Sequence, residues 1–239
     1  MNSIASFQLN DQNRNFMDVM GALGDGRYTL KGISESLQGR SPEIGEKLDY
    51  LEESNFIVKK GTFYGFVDRV MEFWLKNVYS IKQKSFIIDI TETIKKFRKN
   101  LETLYQEFLA DSKLSLSARL MPLIGSFNNE IVEIDKKSHR LIKFSKITEY
   151  AGKDNLILSE TESKKWVFII EGKETTEADL SGYLGLLKND PEIDKIILVA
   201  LSGLEMNARL LAKESKMWIW EIEDVNFLMD AYRRFRIVL

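Results

Sequence analysis

Apolar and polar positions recur along this chain with two different periods, and the switch between them marks out its parts. From Asn13 the residues Phe16, Val19, Met20 and Leu23 fall on one helical face, and Gly24-Asp25-Gly26 stops the run. Thr29 is placed to cap a second short helix that reaches Leu37 and ends at Gly39. Ser41-Pro42-Glu43 opens a third, with Ser41 as N-cap, and it carries Ile44, Leu48 and Leu51 before Asn55 breaks it. Residues 56–66 then read as two strands around a Lys-Gly turn. Residues 1–12 are polar and expected to fray.

Three short helices followed by a β-ribbon are the plan of a winged helix. Such a module commonly reads DNA with its third helix. Here residues 43–53 hold Glu43, Glu46, Asp49, Glu52 and Glu53 against Lys47 alone, a net charge of -4. Phosphate neutralisation supplies most non-specific DNA affinity, so an acidic helix suits protein contact or spacing better than groove reading. Lys59 and Lys60, at the tip of the ribbon, remain candidates for touching a nucleic-acid backbone.

A long amphipathic helix is expected over residues 81–110, where Phe86, Ile90, Ile94, Phe97, Leu101, Leu104 and Phe108 interleave with Lys95, Lys96, Arg98 and Lys99. Its basic face reads as solvated. This divides the chain into an N-terminal domain (1–80), a helical linker (81–118) and a C-terminal domain (119–239). In the last, the spacing predicts a helix from Gly125 with Phe127, Ile131 and Ile134 inward, and with Glu130 and Glu133 sharing a face. A strand Leu141–Ile147, a turn at Ala151-Gly152-Lys153 and a short strand Asn155–Leu158 follow. Trp166–Ile170 is an unbroken apolar run of aromatic and β-branched residues, the signature of a strand buried on both faces. Helix Thr176–Leu187, strand Lys195–Ala200, helix Leu204–Glu214, strand Met217–Trp220 and a helix from Glu223 complete the order. The expected fold class is α/β, with crossovers and a mixed central sheet.

Composition narrows the chemistry. The 239 residues contain no cysteine, which excludes disulfides, thiolate metal sites and cysteine nucleophiles, and fits a reducing, cytoplasmic compartment. His139 is the single histidine, so triads and zinc clusters built on histidine have no material. No apolar run approaches a bilayer span, and a membrane role is not expected. The net charge of -2 is uneven: residues 1–80 carry -2, residues 81–145 carry +4, and residues 146–239 carry -4. Carboxylates and lysines are left to do any chemistry.

Glu171 and Lys173 leave the C-terminal end of the buried strand two residues apart, hence on one face. If this strand pairs as a hairpin with the one before it, the midpoint falls near Glu162/Ser163. That register sets Asp154 beside Glu171. Glu162-Ser163-Lys164 and Glu214-Ser215-Lys216 repeat the spacing but follow no buried strand.

Residues from about 120 to 239 resemble the PD-(D/E)xK superfamily, whose fold is that of restriction endonucleases. Asp154 matches the first acid of its motif, Glu171 the second and Lys173 the lysine, and Glu130 lies where many members carry a first-helix glutamate. Gly172 departs from the bulkier apolar residue usual there. Upstream, the segment YGFVDRVMEFWLKNVY, through Tyr64, Asp68, Phe73 and Trp74, resembles the stretch after the ATPase core in archaeal-type ATPases, a family that closes with the same nuclease-like domain. The resemblance implies a Mg²⁺ (or Mn²⁺) ion held by Asp154 and Glu171, phosphodiester hydrolysis in DNA, and Lys173 orienting the attacking water. It also implies an ATPase partner or a preceding ATPase domain, because the sequence has no G-x-x-x-x-G-K-[ST] of its own. The alternative is a catalytically silent regulatory tail that binds DNA or protein and docks an ATPase.

Overall fold

The structure, a computed structural model, describes residues 11–239 apart from Arg27, residues 80–89, Asp135, Ala151 and Asn189. The expected fraying start and the opening of the expected helix 81–110 lie largely outside the described residues. The chain is mixed α/β and forms two compact units, Met1–Tyr105 and Gln106–Leu239.

In the first unit, helices α1 (Asp11–Gly24), α2 (Leu30–Leu37) and α3 (Ser41–Glu53) precede a hairpin of β1 (Ile57–Lys60) and β2 (Phe63–Phe66). Val19, Leu23, Ile33, Ile44, Leu48, Leu51, Ile57, Tyr64 and Phe66 share one buried core. The Thr29 hydroxyl accepts from the Gly32 amide at 3.2 Å and caps α2 as the sequence suggests. Helix α3 starts one residue early. Arg40 occupies the N-cap position without a side-chain bond, and Ser41 lies inside the helix. The Lys60–Phe63 turn is closed through Gly61, whose φ of +68° an L side chain rarely adopts. Asp68 accepts from the Val70 and Met71 amides (2.8 and 3.3 Å) and so caps α4 (Arg69–Trp74), which a π-helical turn extends to Tyr79. Helix α5 spans Ile90–Ser112, and the division between the units falls within it.

The second unit continues with α6 (Leu116–Ile124), a hairpin of β3 (Glu130–Ile134) and β4 (Lys137–Leu141), and a five-stranded sheet. The expected helix from Gly125 is therefore a strand preceded by a helix. Asn129 takes a φ of +65°, which a helix does not continue through, and beyond it Val132 and Ile134 are buried while Ile131 is exposed. That period of two outweighs the spacing that Phe127, Ile131 and Ile134 offer to a helix. Likewise the expected strand Leu141–Ile147 resolves into the end of β4 and the start of β5 (Lys146–Tyr150).

The sheet order is β5-β6-β7-β8-β9, with β6 (Lys153–Glu160), β7 (Lys165–Glu171), β8 (Lys195–Ala200) and β9 (Trp218–Glu221). The first two pairings are antiparallel and the last two parallel, the latter reached through α7 (Glu177–Leu187) and α8 (Met206–Glu214). One face of the sheet presents Leu156, Val167, Ile169, Leu198 and Ala200 to Leu180 and Leu187 of α7 and Ala212 of α8. The other face is aromatic. Trp166, Phe168, Trp218 and Trp220 pack edge-to-face among themselves and with Phe127 and Phe144, and Tyr232, from the end of α9 (Ile222–Ala231), packs at a tilt on Phe127. Each such ring removed from water contributes about 1.5–3 kcal/mol, so the sheet is held from both sides.

Candidate active site at the end of strand β7

The β6–β7 ladder runs from Glu160↔Lys165 to Leu156↔Ile169, which is the register inferred from the sequence. Extended by two residues it would set Asp154 opposite Glu171. The ladder stops short of that pair. Between Glu149↔Ile157 and Tyr150↔Lys153 the β5–β6 register shifts, so residues 154–156 of β6 bulge with no partners on β5. A bulge changes which side of a strand the next side chain takes. Asn155 accordingly reaches α7, where its Nδ2 donates to the Tyr183 hydroxyl. Asp154, one residue earlier, is exposed.

Glu171 is 6% exposed, on the side of the sheet that α7 covers. The Tyr183 hydroxyl donates to its Oε1, making a relay from the Asn155 amide through the phenol to the carboxylate. Burial, then the hydrogen bond to Glu171 and the charge of that carboxylate, push the Tyr183 phenol up to about 12. Among the described residues no cation pairs with Glu171. A buried carboxylate answered by one hydroxyl retains acceptor capacity for a positive ion.

Lys173 leaves this end of the sheet but turns to α7. Its Nζ meets Asp179 Oδ1 at 3.1 Å, and its side chain is 68% exposed. Asp179 belongs to the capping box of α7, with Thr176 Oγ1 accepting from the Asp179 amide at 3.2 Å and Asp179 accepting from the Thr176 amide at 3.2 Å. The Thr176 hydroxyl, which also donates to Asp179 Oδ2 at 2.7 Å, then the Thr176 amide and then Lys173 hold the Asp179 carboxyl below its ordinary range. Gly172 lies between Glu171 and Lys173, close to the flexible end of the Leu116 side chain. A Cβ built on it would stand 2.8 Å from Leu116 Cδ1 at the start of α6.

Glu130 is engaged by other partners, on the aromatic side of the sheet and not on the side that α7 covers. It lies on β3 and accepts from the Asn128 amide at 2.6 Å and the Tyr232 hydroxyl at 3.0 Å, and Tyr232 packs on Phe127 on the aromatic side of the sheet. In the first unit, Lys59 Nζ lies 5.2 Å from the centre of the Tyr64 ring, and its hydrogen bond with Tyr64 raises its pKa. Lys60 is half-buried at the hairpin turn. His139 stands apart from all of these, 4.3 Å from the Trp218 ring.

Asp154, Glu171 and Lys173 thus belong to one end of one hairpin, and no hydrogen bond or ion pair joins them among the described residues. Nor do three histidine or carboxylate side chains converge there or elsewhere among those residues. The sequence reading missed Asn155 and Tyr183. Tyr183 sits seven residues after the cap of α7, two helical turns in, and that spacing was the available signal.

No family model and no curated protein matches the chain. Among solved structures it is similar to protein VC1899 from Vibrio cholerae, with a TM-score of 0.25 and 12% identity, over 90% of this chain and 50% of that one. The chain therefore spans about half the length of that protein. A likeness of this size carries no argument. No described helix is long and apolar enough to cross a membrane.

Proposed function

We propose that the second unit is a PD-(D/E)xK-type module for metal-dependent hydrolysis of phosphodiester bonds in DNA, joined to a winged-helix unit as in the C-terminal region of archaeal-type ATPases. The observation that carries the reading is Glu171, a carboxylate 6% exposed at the end of a central strand, with a phenol as its partner and Lys173 two residues beyond. Burying a carboxylate away from any cation is costly, and a divalent ion offsets that cost. Glu171 and Asp154 would hold Mg²⁺ or Mn²⁺, both being hard oxygen donors. The ion would supply Lewis acidity at a phosphoryl oxygen. The Asn155–Tyr183 relay fixes one oxygen of Glu171 and so orients the other, and Lys173, released from Asp179, would steady negative charge developing on the phosphate.

The test is Mn²⁺-dependent cleavage of plasmid and linear duplex by the whole chain. Glu171→Gln, Asp154→Ala and Lys173→Ala should each abolish or reduce it by at least about a hundredfold. Cleavage unchanged in Lys173→Ala and Asp154→Ala would refute the assignment.

One observation favours a second reading, a catalytically silent tail that docks an ATPase. Lys173 is engaged by the cap of α7, and Asp154 is displaced by the bulge. Calorimetry decides between the two: saturable Mn²⁺ binding lost in Glu171→Gln supports the nuclease, and no heat at millimolar Mn²⁺ supports the silent tail.

A further inference from the structure

At the other end of the parallel strands lies a pocket unlike anything around Glu171. It has a volume of about 350 Å³ and is lined by Ile134, Lys137, His139, Lys213, Lys216, Met217, Trp218 and Ile219. Its size falls within the range of small-ligand sites, roughly 300–1,000 Å³. Trp166, at the start of β7, is five residues from Glu171, so the two regions are about 17 Å apart along the strand.

Three lysines line it and a fourth stands beside its tryptophan. Lys137 comes from β4, Lys213 from the last turn of α8 and Lys216 from the turn into β9, while Lys195, at the start of β8, lies against the Trp218 ring. Lys195 Nζ sits 4.8 Å from the centre of the Trp218 ring. Among the described residues none of the four forms an ion pair with a carboxylate. Protection of an exposed edge accounts for charge on β4 but not for charge converging from α8 and β8. Like charges drawn together without an acid repel, and the field they make concentrates anions in the concavity.

Two further features fit. Lys216 adopts the left-handed conformation, φ +56°, at the end of α8, with its amide bonded to the Lys213 carbonyl at 3.0 Å and the Met217 amide to the Ala212 carbonyl at 2.9 Å. Glycine is the ordinary occupant of that position, so a lysine there is strained, and it places an ammonium at the rim. Trp218, flanked by His139 at 4.3 Å and Trp166 at 5.1 Å, gives a ligand an aromatic wall beside the cations. Burial holds the His139 imidazole below its ordinary value against a hydrogen bond with the Ile134 backbone, and Lys137 and Lys195 add to the lowering while Asp224 opposes it.

We propose that this pocket binds a phosphate-bearing anion, through Lys137, Lys213 and Lys216 against the Trp218 wall, with Lys195 adding its charge beside that ring. The proposal stands independently of phosphodiester chemistry at Glu171. Its phosphate comes either from a free diphosphate or nucleotide or from the backbone of a nucleic-acid strand.

The experiment titrates the whole chain with inorganic pyrophosphate, ADP and a short fluorescent deoxyribonucleotide oligomer without divalent metal, so that cleavage plays no part. Saturable binding of at least one probe is expected, weakened about tenfold or more by the Lys213→Ala/Lys216→Ala double variant. The Lys31→Ala/Lys96→Ala control, on exposed lysines paired with Glu35 and Glu92, should bind as the parent does. As the single histidine, His139 gives an unambiguous NMR signal, and a bound phosphate should raise its titration midpoint. Oligomer binding displaced by pyrophosphate identifies the backbone source, and binding confined to the small anions identifies the free ligand. Absence of saturation by all three probes at about 10 mM overturns the proposal, as does binding that the double variant leaves unchanged while its circular dichroism matches the parent.

Discussion

Replacing Tyr183 by phenylalanine removes one oxygen and tests the electrostatics of the β7 end directly. The hydroxyl is the donor to buried Glu171 and the acceptor for Asn155. Without it a carboxylate loses its partner where water cannot fully replace it, a cost of about 1–2 kcal/mol at neutral pH. The difference should itself depend on pH. The phenol is pushed up to about 12 in the folded chain, above its unfolded value of about 10. The folded state therefore holds the proton more tightly, so this share of stability is complete below pH about 10 and is lost as pH rises towards about 12. Because the ring is partly solvated, the share is about 1 kcal/mol after screening. Urea unfolding of parent and Tyr183→Phe at a series of pH values measures both quantities. The gap should be widest near neutrality and should shrink above about pH 10. Equal midpoints at neutral pH, or a gap that stays constant through the alkaline range, would refute the reasoning.

Three more outcomes follow from the packing. Lys165→Met breaks a pair with Asp190 at 2.8 Å that raises the lysine and lowers the carboxyl, so it should cost about 0.5–1 kcal/mol near neutrality. That loss should fade as pH falls through the depressed Asp190 value or rises through the elevated Lys165 value, and acid and alkaline unfolding curves read it. Gly172→Ala should cost no more than about 1 kcal/mol, because the added Cβ meets only the flexible end of Leu116, and a double-mutant cycle with Leu116→Ala measures that contact. Phe127→Ala empties a fully buried position between Trp220 and Tyr232, and thermal melts should show a loss of about 3–5 kcal/mol.

The parts of this fold that rest on long apolar runs were legible in the sequence. Strand β8 has the expected bounds, Lys195–Ala200, and the turn at Thr161–Lys164 holds the β6–β7 register inferred from the hairpin midpoint. Buried parallel strands and their crossover helices are written in continuous runs of Val, Ile and Leu, which local chemistry does not contradict. Residues 125–141 failed for the opposite reason. Phe127, Ile131 and Ile134 satisfy a helical period by spacing, and only the left-handed Asn129 and the burial of Val132 reveal a hairpin. The candidate site was half legible. Alternation places Glu171 and Lys173 on one side of β7, but a helix cap then claims the lysine. The partners of Glu171 are set by tertiary packing of α7, to which a local pattern is blind.

The bulge in β6 has a consequence for how the chain could be redesigned. A strand sorts its side chains by parity, so deleting Asn155 moves Asp154 next to Leu156 and shifts every earlier position of β6 by one place. An acid would then take the seat that the Asn155 amide holds against Tyr183, and two carboxylates would face each other across a single spacing of the sheet. Whether this end of the sheet presents an amide or a second negative charge to Glu171 is thus governed by counting residues, with no change of any remaining side chain.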